Sequence, residues 1–130
     1  MYEIVFFENS HGENDLLIYL DFLNQKKATD KNSKIKFNKI VAYLDLLSEN
    51  GPNLKMPVAR HLVSDLWELR PLDNRIIYAY YKDNTFVILH SFTKKTKKTP
   101  KKELKKAIKN YSIFIKNKEK ENEKLESSKK

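Results

Sequence analysis

Three stretches of β-type sequence stand almost end to end in residues 65–92, and this crowding limits the fold more than any other feature of the chain. The segments 65–70, 75–82 and 85–92 are rich in β-branched and aromatic residues, and the gaps between them suit hairpins. Asp83 and Asn84 both tolerate the left-handed backbone that a two-residue hairpin turn requires. The last two strands should therefore pair with residue numbers summing to 167, which sets Arg75 opposite Phe92 and Ile77 opposite His90. Alternation places Ile76, Tyr78, Tyr80, Val87 and Leu89 on one face. It places Arg75, Ile77, Ala79, Tyr81, Phe86, Ile88, His90 and Phe92 on the other. An even-length connection after the first strand adds Trp67 and Leu69 to the first face and Glu68 and Arg70 to the second; an odd length would reverse that strand. The first face is the one expected to carry helices.

Upstream, residues 2–7 form a further strand candidate. Ser10 and Glu13 have the form of a capping box ahead of a helical stripe of Leu16, Leu17, Tyr19, Leu20 and Leu23. Thr29 or Asp30 can cap a second helix, whose stripe of Phe37, Ile40, Val41, Leu44 and Leu47 stops at Gly51 and Pro52. Residues 51–64 contain two prolines and no periodicity, and are expected to be irregular. Thr99 as cap and Pro100 as first residue open a last helix with a stripe of Leu104, Ala107, Ile108, Tyr111, Phe114 and Ile115. The expected fold is α+β in the order β-α-α-β-β-β-α: a mostly antiparallel sheet, a helical hairpin on one face and a basic C-terminal helix. Its 130 residues suit one core, in a domain of residues 1–117. Residues 118–130, where only Leu125 is strongly apolar, are expected to be a frayed or disordered tail.

Charge is distributed very unevenly. Lys94, Lys95, Lys97, Lys98, Lys101, Lys102, Lys105, Lys106 and Lys109 face the single acid Glu103 within residues 94–110, so the formal net charge of +9 is almost wholly local. Such a feature is suited to a polyanion, RNA or DNA first. There is no cysteine, which excludes a disulfide framework, a thiolate metal site and a thiol nucleophile. The N-terminus has no basic n-region, and no run of ~18 apolar residues occurs, so a cytoplasmic protein without a membrane partner is expected. His11 and His61 are isolated in sequence, and neither a metal nor a cofactor is expected.

The second face brings Arg70, Arg75 and His90 toward one sheet edge, from which the chain runs into Lys94 and Lys95. Guanidinium groups bind phosphate oxygens bidentately, and lysine adds a flexible ammonium. Such a set suits RNA cleavage, in which the 2′-hydroxyl loses a proton and attacks the adjacent phosphorus while the developing charge is stabilised. That route needs neither a metal nor a protein nucleophile. Each residue also has a plainer reading: His90 as a packed strand residue, Arg70 and Glu68 as paired surface charges, Arg75 as a turn residue, Trp67 as core, and the lysine helix as a solvated face.

LWELRP at 66–71, RIIYAYYKDNTFVILHSFTKKTKKTP at 75–100 and the lysine-rich helix together resemble the phage-derived Gp49-like branch of the HigB toxins, in the RelE/ParE superfamily. The resemblance spans about residues 62–110 and is carried chiefly by the segment from Phe92 to Pro100. It implies a RelE-like fold and the toxin of a type II toxin–antitoxin system, a ribosome-dependent endoribonuclease that cuts mRNA in the A site. It also implies a cognate HigA-type helix-turn-helix antitoxin, with operator DNA reached only through the complex. Arg75 matches the arginine that opens the third strand of RelE-like nucleases, and Arg70 matches the ELR arginine. Lys94, Lys95, Lys97 and Lys98 match the basic stretch after the last strand, and Lys101 and Lys102 continue it as expected RNA contacts. The chain departs from RelE in carrying Leu66 and Glu68 where lysines are common, and in lacking a clear counterpart of the site tyrosine. His90, then Lys94 or Lys95, is the expected proton acceptor. Two other functions are open: a ParE-like inhibitor of DNA gyrase, and a nucleic-acid-binding protein that cuts nothing.

Overall fold

A computed structural model describes residues 1–128. In chain order the elements are β1 (Glu3–Phe6), α1 (Asp15–Lys26), α2 (Lys31–Asn50), a 3₁₀ turn (Gly51–Asn53), β2 (Ala59–Val63), β3 (Leu66–Leu69), β4 (Asn74–Lys82), β5 (Thr85–Thr93) and α3 (Lys101–Ser128). The five strands form one sheet in the order β1-β5-β4-β3-β2. β1 runs parallel to β5, and every other pairing is antiparallel.

Both faces of the sheet are covered. Leu16 and Leu23 of α1 and Ile40 and Leu47 of α2 pack against Leu69, Ile76, Tyr78, Phe86 and Ile88. On the opposite face Ala107 and Phe114 of α3 close over Leu66, Ile77, Ala79, Val87 and Leu89. Strands buried on both sides carry near-continuous apolar sequence, so alternation alone does not assign their faces. This explains one correction. The expected turn is present, with Asp83 at φ 52° and Asn84 at φ 58°, and Arg75 pairs with Phe92 and Ile77 with His90. The ladder then slips between Ile77 and Tyr78, so that Tyr78 pairs with Ile88. The extra residue on β5 inverts its faces: Phe86 and Ile88 join Tyr78 under the helical hairpin, while Val87 and Leu89 turn toward α3. A second irregularity near Tyr80 restores the pairing of Lys82 with Thr85. Trp67 and Leu69 lie with the helical-hairpin core as expected.

Residues 51–64, expected to be irregular, contain the edge strand β2. Its pairing with β3 sets Arg60 opposite Glu68 and His61 opposite Trp67, a long-range match that no local period announces. The cap of α1 is Asn14 rather than Ser10. Its Oδ1 accepts from the N–H groups of Leu16 and Leu17, while its Nδ2 donates to the carbonyls of Phe7 and Ile88 at 2.7 and 3.3 Å. Asn14→Ala removes the cap and leaves both carbonyls short of a donor, so a stability loss of about 2 kcal/mol is expected, read as a lower urea midpoint at unchanged slope. Asp30 caps α2, and the Gly51 N–H closes it on Leu47 O.

At the start of α3 the Pro100 carbonyl accepts from Glu103 and Leu104, so the helix opens one position later than expected, and the Thr99 hydroxyl is directed elsewhere. Helix also continues through Ser128, where a frayed or disordered tail is expected from residue 118. Lysine and glutamate are good helix formers, and Lys118 pairs with Glu121 at 3.3 Å along the helix. Residues 129–130 of that tail lie outside the described residues. No helix is long and apolar enough to cross a membrane among the described residues.

Candidate nucleic-acid interface

At the end of the sheet where β5 runs out, on the face covered by α3, four strands and the loop 94–100 meet in a narrow cleft. It is lined by Arg60 of β2, Glu68 of β3, Arg75 of β4 and Phe92 of β5, and by Lys94, Lys97, Lys98 and Thr99 of the loop. Register explains the convergence, because Arg60 is paired with Glu68 and Arg75 with Phe92. The loop is tied down near both ends: Lys94 N–H donates to Asp73 O at 2.7 Å, and Thr99 Oγ1 donates to Glu68 Oε1 at 2.9 Å.

Arg75 is 7% exposed. Its Nη1 donates to the carbonyls of Leu72 and Asn74 at 2.9 and 2.8 Å, which fixes the plane of the guanidinium. Its Nε and Nη2 have no protein acceptor among the described residues and remain for a ligand. Burial first, and then the neighbouring positive charge of Arg70, holds its pKa below the usual arginine value. A guanidinium still stays charged at neutral pH. Cations at the cleft outnumber acids five to one, since Glu68 is the single carboxylate lining it.

The expected site residues separate into groups. Arg75, Lys94, Lys97 and Lys98 line the cleft. Lys95 and Lys102 line a wider groove on the other side of Phe92, with Pro100 and Glu103. Lys101 is exposed in the first turn of α3 and lines neither. Arg70 stands outside the cleft wall, with Nη1 3.0 Å from Met56 Sδ, although its charge acts on Arg75.

His90 is not brought to the cleft. It is 4% exposed, its ring stacks on Phe92, and its Nδ1 and Nε2 bond Asp15 of α1 and Glu103 of α3 respectively. With both ring nitrogens held by carboxylates, it is a clamp between sheet and helices, and neither nitrogen is left for a substrate proton. The places of Arg60 and Thr99 are not legible in the sequence, because β2 carries no strand pattern of its own and Thr99 before Pro100 has the form of a helix cap. The one available signal for Arg60 was a basic residue within an otherwise unassigned stretch.

Fold and site together define a small basic α+β protein with a cationic cleft at one end of a sheet buried on both faces. The chain belongs to the family described as Phage derived protein Gp49-like (DUF891), whose model matches residues 24–112. No curated protein sequence matches it. Among solved structures it is similar to a YoeB-YefM complex from Staphylococcus aureus, with 17% identity and a TM-score of 0.44 over 70% of this chain and 94% of that one. A heterotetrameric YoeB-YefM toxin-antitoxin complex from Staphylococcus aureus gives 19% identity and a TM-score of 0.45 over 74% of this chain and 98% of that one.

Proposed function

We propose that this protein is the toxin of a type II toxin–antitoxin pair, a HigB-like endoribonuclease that cuts mRNA held in the ribosomal A site. The observation that carries the reading is the convergence of Arg75 with Lys94, Lys97 and Lys98 on one cleft. In this mechanism the RNA 2′-hydroxyl attacks the adjacent phosphorus, the 5′-oxygen leaves, and a 2′,3′-cyclic phosphate remains. Arg75 stabilises the charge that develops on the phosphoryl oxygens, and the loop lysines hold the flanking phosphates. Lys95, Lys101 and Lys102 continue the phosphate path outside the cleft. With His90 clamped, Lys94 in its neutral amine form is the nominated proton acceptor, which leaves the flanking phosphates to Lys97 and Lys98, and water returns a proton to the departing 5′-oxygen. A HigA-type antitoxin neutralises the protein in the cytoplasm, and operator DNA is met only through their complex.

The test is a translation extract supplied with the purified protein, followed by mapping of transcript ends. New ends within ribosome-covered codons are the expected result. Intact transcripts would overturn the nuclease reading. Inhibition of gyrase supercoiling would then identify a gyrase poison. The clamped His90 gives some weight to a binder without chemistry, whose signature is equal affinity for random DNA and RNA with no cleavage. For binding to single strands, the log-log salt slope should be roughly −0.7 per phosphate contacted.

A further inference from the structure

We infer that Arg60 is a phosphate ligand of the cleft and that Glu68, completely buried beneath it, is the residue that positions it. The inference rests on the reading that the cleft accepts a phosphodiester.

Arg60 Nη2 lies 3.0 Å from Glu68 Oε2, yet the approach is off the hydrogen-bonding axis. Glu68 Oε2 accepts no aligned hydrogen bond, and Arg60 Nε, itself a buried atom, donates none. Arginine–carboxylate pairs are frequently bidentate, with two parallel bonds. This one draws the guanidinium into place without satisfying it. A buried donor left without an acceptor costs the folded state the desolvation of that group, and its persistence requires an explanation. An oxygen anion entering the cleft supplies the missing acceptor.

Glu68 is fitted to positioning rather than to contact with substrate. Its side chain has no exposure, one oxygen holds Thr99 and hence the basic loop, and the other faces Arg60. Its charge also offsets the mutual repulsion of Arg60, Arg75 and the three loop lysines. A single carboxylate therefore holds both the strand-borne and the loop-borne donors along the cleft.

The experiment is an NMR titration of the wild-type protein with inorganic phosphate, and then with a single-stranded RNA hexamer made non-cleavable by 2′-deoxy substitution. The Nε–H resonances of Arg60 and Arg75 are followed. Both should move together and saturate. In anisotropy measurements on the same hexamer, Arg60→Gln should weaken binding about tenfold and reduce the salt slope by about 0.7, one phosphate contact. Arg60→Lys should also weaken binding while keeping the slope, because charge is retained and the planar fork is lost. Glu68→Gln should weaken binding with no loss of slope and broaden the Arg60 Nε–H signal. A purely structural Arg60 would leave the slope unchanged. An Arg60 resonance that stays still while Arg75 saturates, or an unaltered slope in Arg60→Gln, overturns the assignment and leaves the nuclease reading standing. Failure of the wild type to bind either ligand overturns the assignment of Arg60 as a phosphate ligand, whereas absence of cleavage in the extract overturns the nuclease reading alone.

Discussion

Arg75→Ala should reduce mRNA cleavage by about 10²–10³-fold, the usual effect of removing one preorganised donor from a developing oxyanion. Cell growth under induction should recover to match. The side chain also supports the local backbone through Leu72 O and Asn74 O, so truncation should cost about 1 kcal/mol of stability as well. Arg75→Lys separates the two effects. It keeps a positive charge but loses the fixed fork, so cleavage should remain strongly impaired. Single-turnover cleavage on programmed ribosomes, measured beside a denaturation midpoint, checks both variants. Full toxicity of Arg75→Ala at normal expression would remove the basis of the proposed mechanism.

The second large effect is expected at His90, and on stability. His90 joins β5 to the first turns of α1 and α3 through Asp15 and Glu103, and Lys106 adds a contact to Asp15 at 3.4 Å. His90→Ala leaves two carboxylates facing a cavity in a mostly buried place, with an expected loss of about 3 kcal/mol, discounted for the partial exposure of Asp15. The midpoint of thermal or urea unfolding reads this directly. Cleavage measured at low temperature, where the variant is still folded, should stay within a few-fold of the wild type, after the population of folded protein is taken into account. A general base would behave differently, with cleavage falling by about 10²–10⁴-fold in the folded protein.

What the sequence revealed and what it concealed divide along the range of the interactions. The turn at Asp83 and Asn84 and the stop at Gly51 depend on residues whose backbone preferences are local, and both lie where those preferences put them. The cap of α1 is local too, but it is Asn14 and not the Ser10 that the capping-box pattern indicates. What decides for Asn14 is its bonds to the carbonyls of Phe7 and Ile88, which only the assembled sheet supplies. β2 owes its existence to pairing with β3, since its own residues show little strand pattern. The slip beside Ile77 was hidden because both faces of β5 are apolar, so either assignment satisfies the composition.

The candidate site follows the same division. Arg75 and the lysines of the 94–98 run were legible because their local motif and the hairpin register place them at one end of the sheet. His90 was legible as a member of β5 and illegible in its role. Its partners are 75 and 13 residues away, on helices whose first turns swing toward it only in the folded chain. Arg60 was obscured together with the strand that carries it.

The length of α3 has a practical consequence for anyone wishing to observe this protein at work. At 1.5 Å per residue, its 28 residues span about 42 Å. The helix begins beside the cleft and makes its last core contacts around Phe114 and Ile115, so its distal turns project like a mast. On the proposed function, a fluorophore mounted there would sit far along the helix from the cleft, and its anisotropy would report the growth of the particle on binding.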